Sequence, residues 1–281
     1  MNLDQFKDFF TWLGHPSLDP EDIDQQNCVC CWSKVAVALA SHALWTACQK
    51  MNKPRSFEEC KASAQELVDM FAVKYPDRTG PVYKNGCYLA HPRRALEYIQ
   101  NYGITLNSHY PYVGKRQFNT EPPAFPRFKI KEVIRLVEPS MDEIDSLIRR
   151  CPIAGKVKIS ENFANWKGKG IFSEEVSGED LKSHSVLIIG KGVDSLNRQF
   201  YHIKNSWGKS WGDDGYAYIL CKLVTPLCYA EGAYFLDEEC AVASTSGGVT
   251  PDRSAVASTS GGVTPDRSAV ASTSGGVTPD R

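Results

Sequence analysis

The chain has no run of about 18 or more apolar residues, which excludes a hydrophobic membrane-spanning helix. It has no basic run and no acidic block. Its formal net charge is only −1, with both signs mixed throughout, so neither a nucleic-acid partner nor a solvating tail is expected. No Asn-x-Ser/Thr acceptor for N-glycosylation occurs. The first residues, Met1-Asn2-Leu3-Asp4-Gln5-Phe6-Lys7, lack the apolar core of a secretory signal. As encoded the chain therefore reads as cytoplasmic; truncation of a longer precursor would instead fit a lysosomal, vacuolar or secreted protein. Cysteine is not scarce, but the ten cysteines are scattered without an obvious disulfide framework.

Within its 281 residues, 241–281 form a separate object. Ala241–Ser254 reads AVASTSGGVTPDRS; Ala255–Ser268 repeats it without change, and Ala269–Arg281 repeats all but the final Ser. The unit is rich in Ser, Thr and Gly and has no aromatic residue. Such a composition buries too little apolar surface to offset the entropy of ordering, so a disordered tail is expected.

Residues 1–240 are long enough to bury a sizeable core. From Cys31 to about Tyr102 the helical period dominates. Val35, Leu39 and His42 share one face, Ser56 and Glu59 have capping-box spacing, Ser63–Phe71 forms a further helical stretch, and Arg94–Tyr102 stops at Gly103. Pro111, Pro122, Pro123 and Pro126 mark an irregular crossing. Beyond it lie β-rich runs at Lys129–Val137, Ile153–Ile159, Ser185–Ile189, Phe200–Lys204 and Tyr216–Leu220, interrupted by a helix over Met141–Arg150. Helices first and strands second predict an α+β protein of two lobes, a helical lobe at about 13–118 and a β lobe at about 119–240.

Three polar residues with distinctive flanks carry the chemistry. Cys31 lies in Gln25-Gln26-Asn27-Cys28-Val29-Cys30-Cys31-Trp32, His184 in Ser183-His184-Ser185-Val186, and Asn205 in Lys204-Asn205-Ser206-Trp207-Gly208. A thiol, an imidazole and an amide are the parts of an acyl-transfer site: nucleophile, acid–base and orienting group. A free thiol titrates near ~8.5, so attack at neutral pH needs a stabilised thiolate. The start of the helix after Cys31 and a protonated His184 would both supply that stabilisation. Gln25 would add an oxyanion donor beside the Cys31 amide, and Trp207 would shield the His184–Asn205 bond. Cys28, Cys30, Cys31 and His42 also have metal-ligand chemistry, but no second ligand pair stands at zinc-site spacing. No metal and no organic cofactor is expected.

From about Phe10 to Leu236 these blocks resemble the papain family of cysteine peptidases. The long run Lys204-Asn205-Ser206-Trp207-Gly208-Lys209-Ser210-Trp211-Gly212-Asp213-Asp214-Gly215-Tyr216 is the most specific of them. The resemblance implies a papain-like two-lobed fold with a β-barrel-like second lobe and a cleft between the lobes. It implies a cysteine-type endopeptidase using Cys31, His184, Asn205 and Gln25, with peptide or protein substrates, the family's protein inhibitors as further partners, and a monomeric state. It also implies one disulfide, Cys28–Cys87, with Cys48, Cys60, Cys221 and Cys240 as free thiols.

The chain departs from the family at telling places. Val29-Cys30 replaces the small residues before the nucleophile. Tyr88-Leu89-Ala90 replaces a glycine stretch that lines the substrate cleft, and Leu89 would narrow that cleft. Only a few residues precede Phe10-Thr11-Trp12, so the signal peptide and inhibitory pro-segment are missing from the sequence as it stands. The alternative to an active peptidase is therefore an inactive homologue that binds peptides or proteins through the altered cleft. Acyl transfer to an acceptor other than water is a third possibility.

Overall fold

In the computed structural model the described residues are 6–51, 54–119, 121–122, 124–176 and 182–236; Cys240 and the repeats at 241–281 lie outside them. Helix α1 (Cys31–Cys48) is buried on nearly every side. All-round burial demands an all-round apolar helix, which Val35, Ala36, Val37, Leu39, Ala40, Ala43 and Leu44 provide. Helix α2 (Ala64–Lys74) starts where the Ser63 hydroxyl accepts the Glu66 amide at 3.0 Å. Helix α3 (Pro92–Tyr102) opens on a proline whose missing N–H is not needed there and ends at Gly103, whose φ of 72° favours glycine. The Ser56–Glu59 capping contact forms, with the Ser56 hydroxyl donating to Glu59 Oε2 at 2.7 Å. It caps a single 3₁₀ turn at Glu58–Cys60, not a full helix, because Lys61 turns extended and Ala62 bridges to Leu106.

The strands are β1 (Lys7–Thr11), β2 (Ile104–Thr105), β3 (Arg127–Leu136), β4 (Ile153–Lys158), β5 (Ile171–Phe172), β6 (Ser183–Val193), β7 (Gln199–Lys204), β8 (Tyr216–Leu220) and β9 (Leu227–Phe235). They form one open sheet in the order β2-β3-β9-β4-β6-β7-β8-β5, with β1 paired to β6. Every pairing is antiparallel except β5 with β8. Helix α4 (Met141–Ile148), with a complete Ser140/Glu143 capping box, and the short α5 (Glu161–Ala164) lie between strands.

Strand alternation divides the core in two. In the β4–β6 register, Ala154 faces Leu187, and both join the cluster around α1, α2 and α3. Ile153 faces Ile188 and Gly155 faces Val186, and the apolar members of these pairs belong to a second cluster with Phe163, Trp211 and Ile219. One strand pair thus supplies opposite faces to two cores. The N-terminus of α1 sits against the end of this pair.

A buried carboxylate ties the helices to the sheet. Glu66 on α2 is 0% exposed. It accepts from the Thr105 amide on β2 at 2.9 Å, from the Tyr98 hydroxyl on α3 at 3.2 Å, and from Nη1 and Nη2 of Arg127 at the start of β3.

Candidate active site

The loop before α1 places two thiols side by side and gives them opposite character. Cys30 Sγ lies 3.0 Å from the Tyr112 hydroxyl in an apolar pocket with Val68 and the Cys28–Cys87 bridge. Burial pushes its thiol up to about 12, so it stays protonated and fills space. Cys31 is the first residue of α1. Burial alone would raise its thiol too. The His184 charge, a hydrogen bond from His184, and hydrogen bonds from the Ser185 backbone and hydroxyl outweigh that and hold it at about 7. A helix start adds a field of the same sign.

His184, on β6, is 3% exposed. Its Nε2 donates to Asn205 Oδ1 at 2.6 Å. With Nε2 engaged there, Nδ1 is left for the thiol. Trp207 covers this bond, its ring centroid 4.2 Å from that of the imidazole, and is itself packed edge-on against Phe163 and Trp211. Asn205 is fixed at the end of β7. Its amide donates to Gly215 O at 2.9 Å, and its Oδ1 also accepts the Ser206 amide at 2.7 Å. Its Nδ2 is buried without a partner among the described residues. An orphaned donor of this kind costs about 1–3 kcal/mol, so the amide orientation is set by what Oδ1 holds.

The glycines after Asn205 make this corner possible. Gly212 has φ 64°, and a Cβ there would fall 2.2 Å from Tyr216 O. The turn that returns β8 beside β7 therefore requires glycine at that position.

Gln25 is held on three sides. Its amide donates to Ser206 O at 2.9 Å, its carbonyl accepts the Tyr112 hydroxyl at 2.7 Å, and its Oε1 accepts the Ser206 hydroxyl at 2.7 Å. With Oε1 occupied, the Nε2 hydrogens are the end that can donate to a ligand. The next residue, Gln26, has a positive φ of 54°, a conformation that is rare outside glycine and common around functional loops.

The opposite wall is anchored to the same loop. The Cys28–Cys87 disulfide spans 59 residues of sequence, a closure that stabilises by about 4 kcal/mol in the chain-entropy account. Trp32 Nε1 donates to Tyr88 O at 2.8 Å, and the Tyr88 ring packs inward against Trp32 and Phe71. Leu89 and Ala90 follow, both half-buried and neither with a positive φ. The residues weighed for zinc are otherwise engaged: Cys28 in the disulfide, Cys30 against Tyr112, and His42 Nδ1 against the Ser17 hydroxyl at 2.8 Å.

Sequence reasoning singled out Gln25, Cys31, His184, Asn205 and Trp207, and the fold brings Cys31, His184, Asn205 and Trp207 into one contact chain, with Gln25 joined to it through Ser206. It missed Ser185, Ser206 and the role of Tyr112. Ser185 and Ser206 directly follow His184 and Asn205, and that adjacency was the available signal.

A family model described as papain family cysteine protease matches residues 21–234. Cathepsin R of Mus musculus is 29% identical over 198 residues, covering 68% of this chain and 54% of its own length. Fruit bromelain of Ananas comosus is 30% identical over 220 residues, covering 77% and 55%. The chain thus spans about half the length of the curated relatives it matches. The solved structure of the Carica candamarcensis cysteine protease CMS1MS2, in complex with E-64, superposes with a TM-score of 0.60 at 27% identity, over 80% of this chain and 98% of that one.

Proposed function

Because the chain belongs to the papain family of cysteine proteases, we propose that it hydrolyses peptide bonds through a thioester acyl-enzyme on Cys31. The observation that carries this reading is the Cys31–His184–Asn205 line, in which the thiol is held at about 7 despite its burial. The Cys31 thiolate attacks the scissile carbonyl. The developing oxyanion takes hydrogen bonds from the Cys31 amide, which has no partner inside the helix, and from Gln25 Nε2. His184 gives its Nδ1 proton to the leaving amine and then accepts one from the water that cleaves the thioester. Asn205 keeps the imidazole in the plane that serves both steps, and Trp207 excludes water from that hydrogen bond.

The half-buried Leu89 and Ala90, where the resemblance leads one to expect glycine, favour the binding-module alternative enough to set it as the competing outcome. The Cys28–Cys87 bridge favours an oxidising compartment over the cytoplasmic expectation.

The test is hydrolysis of fluorogenic peptides under mild reduction, with and without an epoxide thiol trap. Turnover blocked by the trap is expected, whereas peptide binding without turnover or labelling favours the binding module. Gln25→Ala lowers kcat by about 10²–10³-fold with KM nearly unchanged, because an oxyanion donor acts mainly in the transition state.

A further inference from the structure

Lys156 is a cation placed beside the nucleophile. On β4 it stands directly opposite Ser185 on β6. Side chains directly opposite in an antiparallel pair share a face, so Lys156 projects to the face on which Ser185 hydrogen-bonds the Cys31 thiol. In the neighbouring pair on the same face, Ala154 and Leu187 are sealed in the core, so the Lys156 stem continues an apolar surface to the edge of the site. Lys156 is half-buried, and no carboxylate of the described residues pairs with its ammonium. The charge interacts with Cys31 on one side and with His91 on the other.

The wall across from Lys156 is also basic. His91 caps α3 directly after Leu89 and Ala90, with Nδ1 accepting the Arg93 amide at 3.2 Å. Burial, then the charges of Lys156, Arg93 and Arg94, hold its imidazole at about 4, so at neutral pH it is uncharged and leaves the ammonium without a titrating partner. Arg93, Arg94 and Arg78 all converge on one carboxylate, Glu97, with Arg94 Nη1 at 2.8 Å and Arg78 Nη1 at 3.7 Å. Three guanidinium groups on one carboxylate leave the local charge positive. Lys158, exposed on the same face of β4, adds to it.

We propose that Lys156 is a specificity-determining residue, forming the floor of a subsite beside Cys31 that receives an acidic side chain of the peptide. The inference rests on the reading that peptides occupy this cleft. A half-desolvated ammonium with no carboxylate partner among the described residues is the feature a carboxylate completes, and a charge-assisted hydrogen bond is stronger in such a partly desolvated setting than in water.

The experiment scans Glu against Gln and Asp against Asn at each of the three positions before the scissile bond. At one position the acid is favoured by about tenfold or more in kcat/KM, the scale of one charge-assisted hydrogen bond. Lys156→Met removes the ratio, Lys156→Arg keeps it, and Lys156→Glu reverses it toward a lysine-bearing peptide. Epoxide labelling of Cys31 in each variant reports an intact site independently of peptide charge. A wild type with no acid preference, or a ratio that survives in Lys156→Met, overturns the proposal while leaving the peptidase reading standing. If the wild type neither labels nor cleaves, the peptidase reading fails, and the same peptides are measured by equilibrium binding. Acid-selective binding lost in Lys156→Met then upholds the subsite, and equal or absent binding overturns it.

Discussion

Replacing Cys31 with alanine lowers peptide turnover by on the order of 10⁴–10⁶-fold and abolishes epoxide labelling, the scale seen when the nucleophile of a covalent hydrolase is removed. Cys30 does not substitute for it, although it is the neighbouring residue and carries the same thiol. Its Sγ is turned to Tyr112 and burial holds it at about 12, whereas Cys31 is held at about 7 by His184 and Ser185. His184→Ala falls by a comparable factor, and the double variant falls little further, because the two residues act as one unit. Active-site titration against the epoxide, followed by turnover assays, checks both statements. Substantial turnover left in Cys31→Ala would mean that the thiol pair is not where the chemistry occurs.

Glu66→Ala destabilises the fold by about 3–5 kcal/mol, the cost of leaving a buried charge partner uncompensated. The glutamate is 0% exposed and is shared by α2, α3, β2 and β3 through Tyr98, Thr105 and Arg127. Its removal leaves the Thr105 amide without its acceptor and the Arg127 guanidinium with only the Tyr102 and Gly103 carbonyls. For a domain of this size the midpoint of thermal unfolding should drop by roughly 6–20 °C, read by calorimetry at fixed pH. Glu66→Gln, which keeps shape and one acceptor, should lose less. A shift under about 2 °C for the alanine variant would show that the network is dispensable.

The helices and the site motifs were legible in the sequence for different reasons. Helix α1 could be read because Val35, Leu39 and His42 recur at helical spacing, and in the fold it is buried on nearly every side. Helix α3 announced itself by Gly103 at its end, while its start at Pro92 lies two residues before the expected Arg94. Strand β9 was missed. Glu231 and Gly232 interrupt its alternation, and the strand is held by pairing with β3, a long-range register that no local pattern encodes. The Ser56–Glu59 spacing was read correctly as a capping contact and wrongly as the start of a helix, because the turn it caps is cut short by the extended Lys61. At the site, Cys31, His184 and Asn205 could be named from their flanks. Adjacency to Asn205 marked Ser206 but not its role, which comes from the folded position of Gln25, and Lys156 had no local signal, because it gains meaning from facing Ser185 across two strands.

The departures from the family pattern also read differently in the fold. Cys30 is a protonated filler beneath Tyr112, and Tyr88 is a core residue whose hydroxyl donates to Val68 O at 2.9 Å. The departures left at the proposed cleft are Leu89 and Ala90, and the Cys28–Cys87 bridge and the Trp32–Tyr88 hydrogen bond hold their segment against the loop that carries Cys31.

The measurement that bears most directly on the central claim is the pH dependence of Cys31 alkylation, read by mass spectrometry with Cys30, Cys151 and Cys228 as internal controls. The reactive species is the thiolate, so a thiol held below its ordinary value reacts at full rate above that lowered pKa and loses reactivity as pH falls through it. The account predicts a midpoint near 7 for Cys31. In His184→Ala the midpoint moves upward, because burial then acts unopposed by the imidazole. The control thiols, raised to about 12 by burial, stay unlabelled across the range. A Cys31 midpoint at or above about 8.5, the value of a free thiol, and unmoved by His184→Ala, would contradict the account.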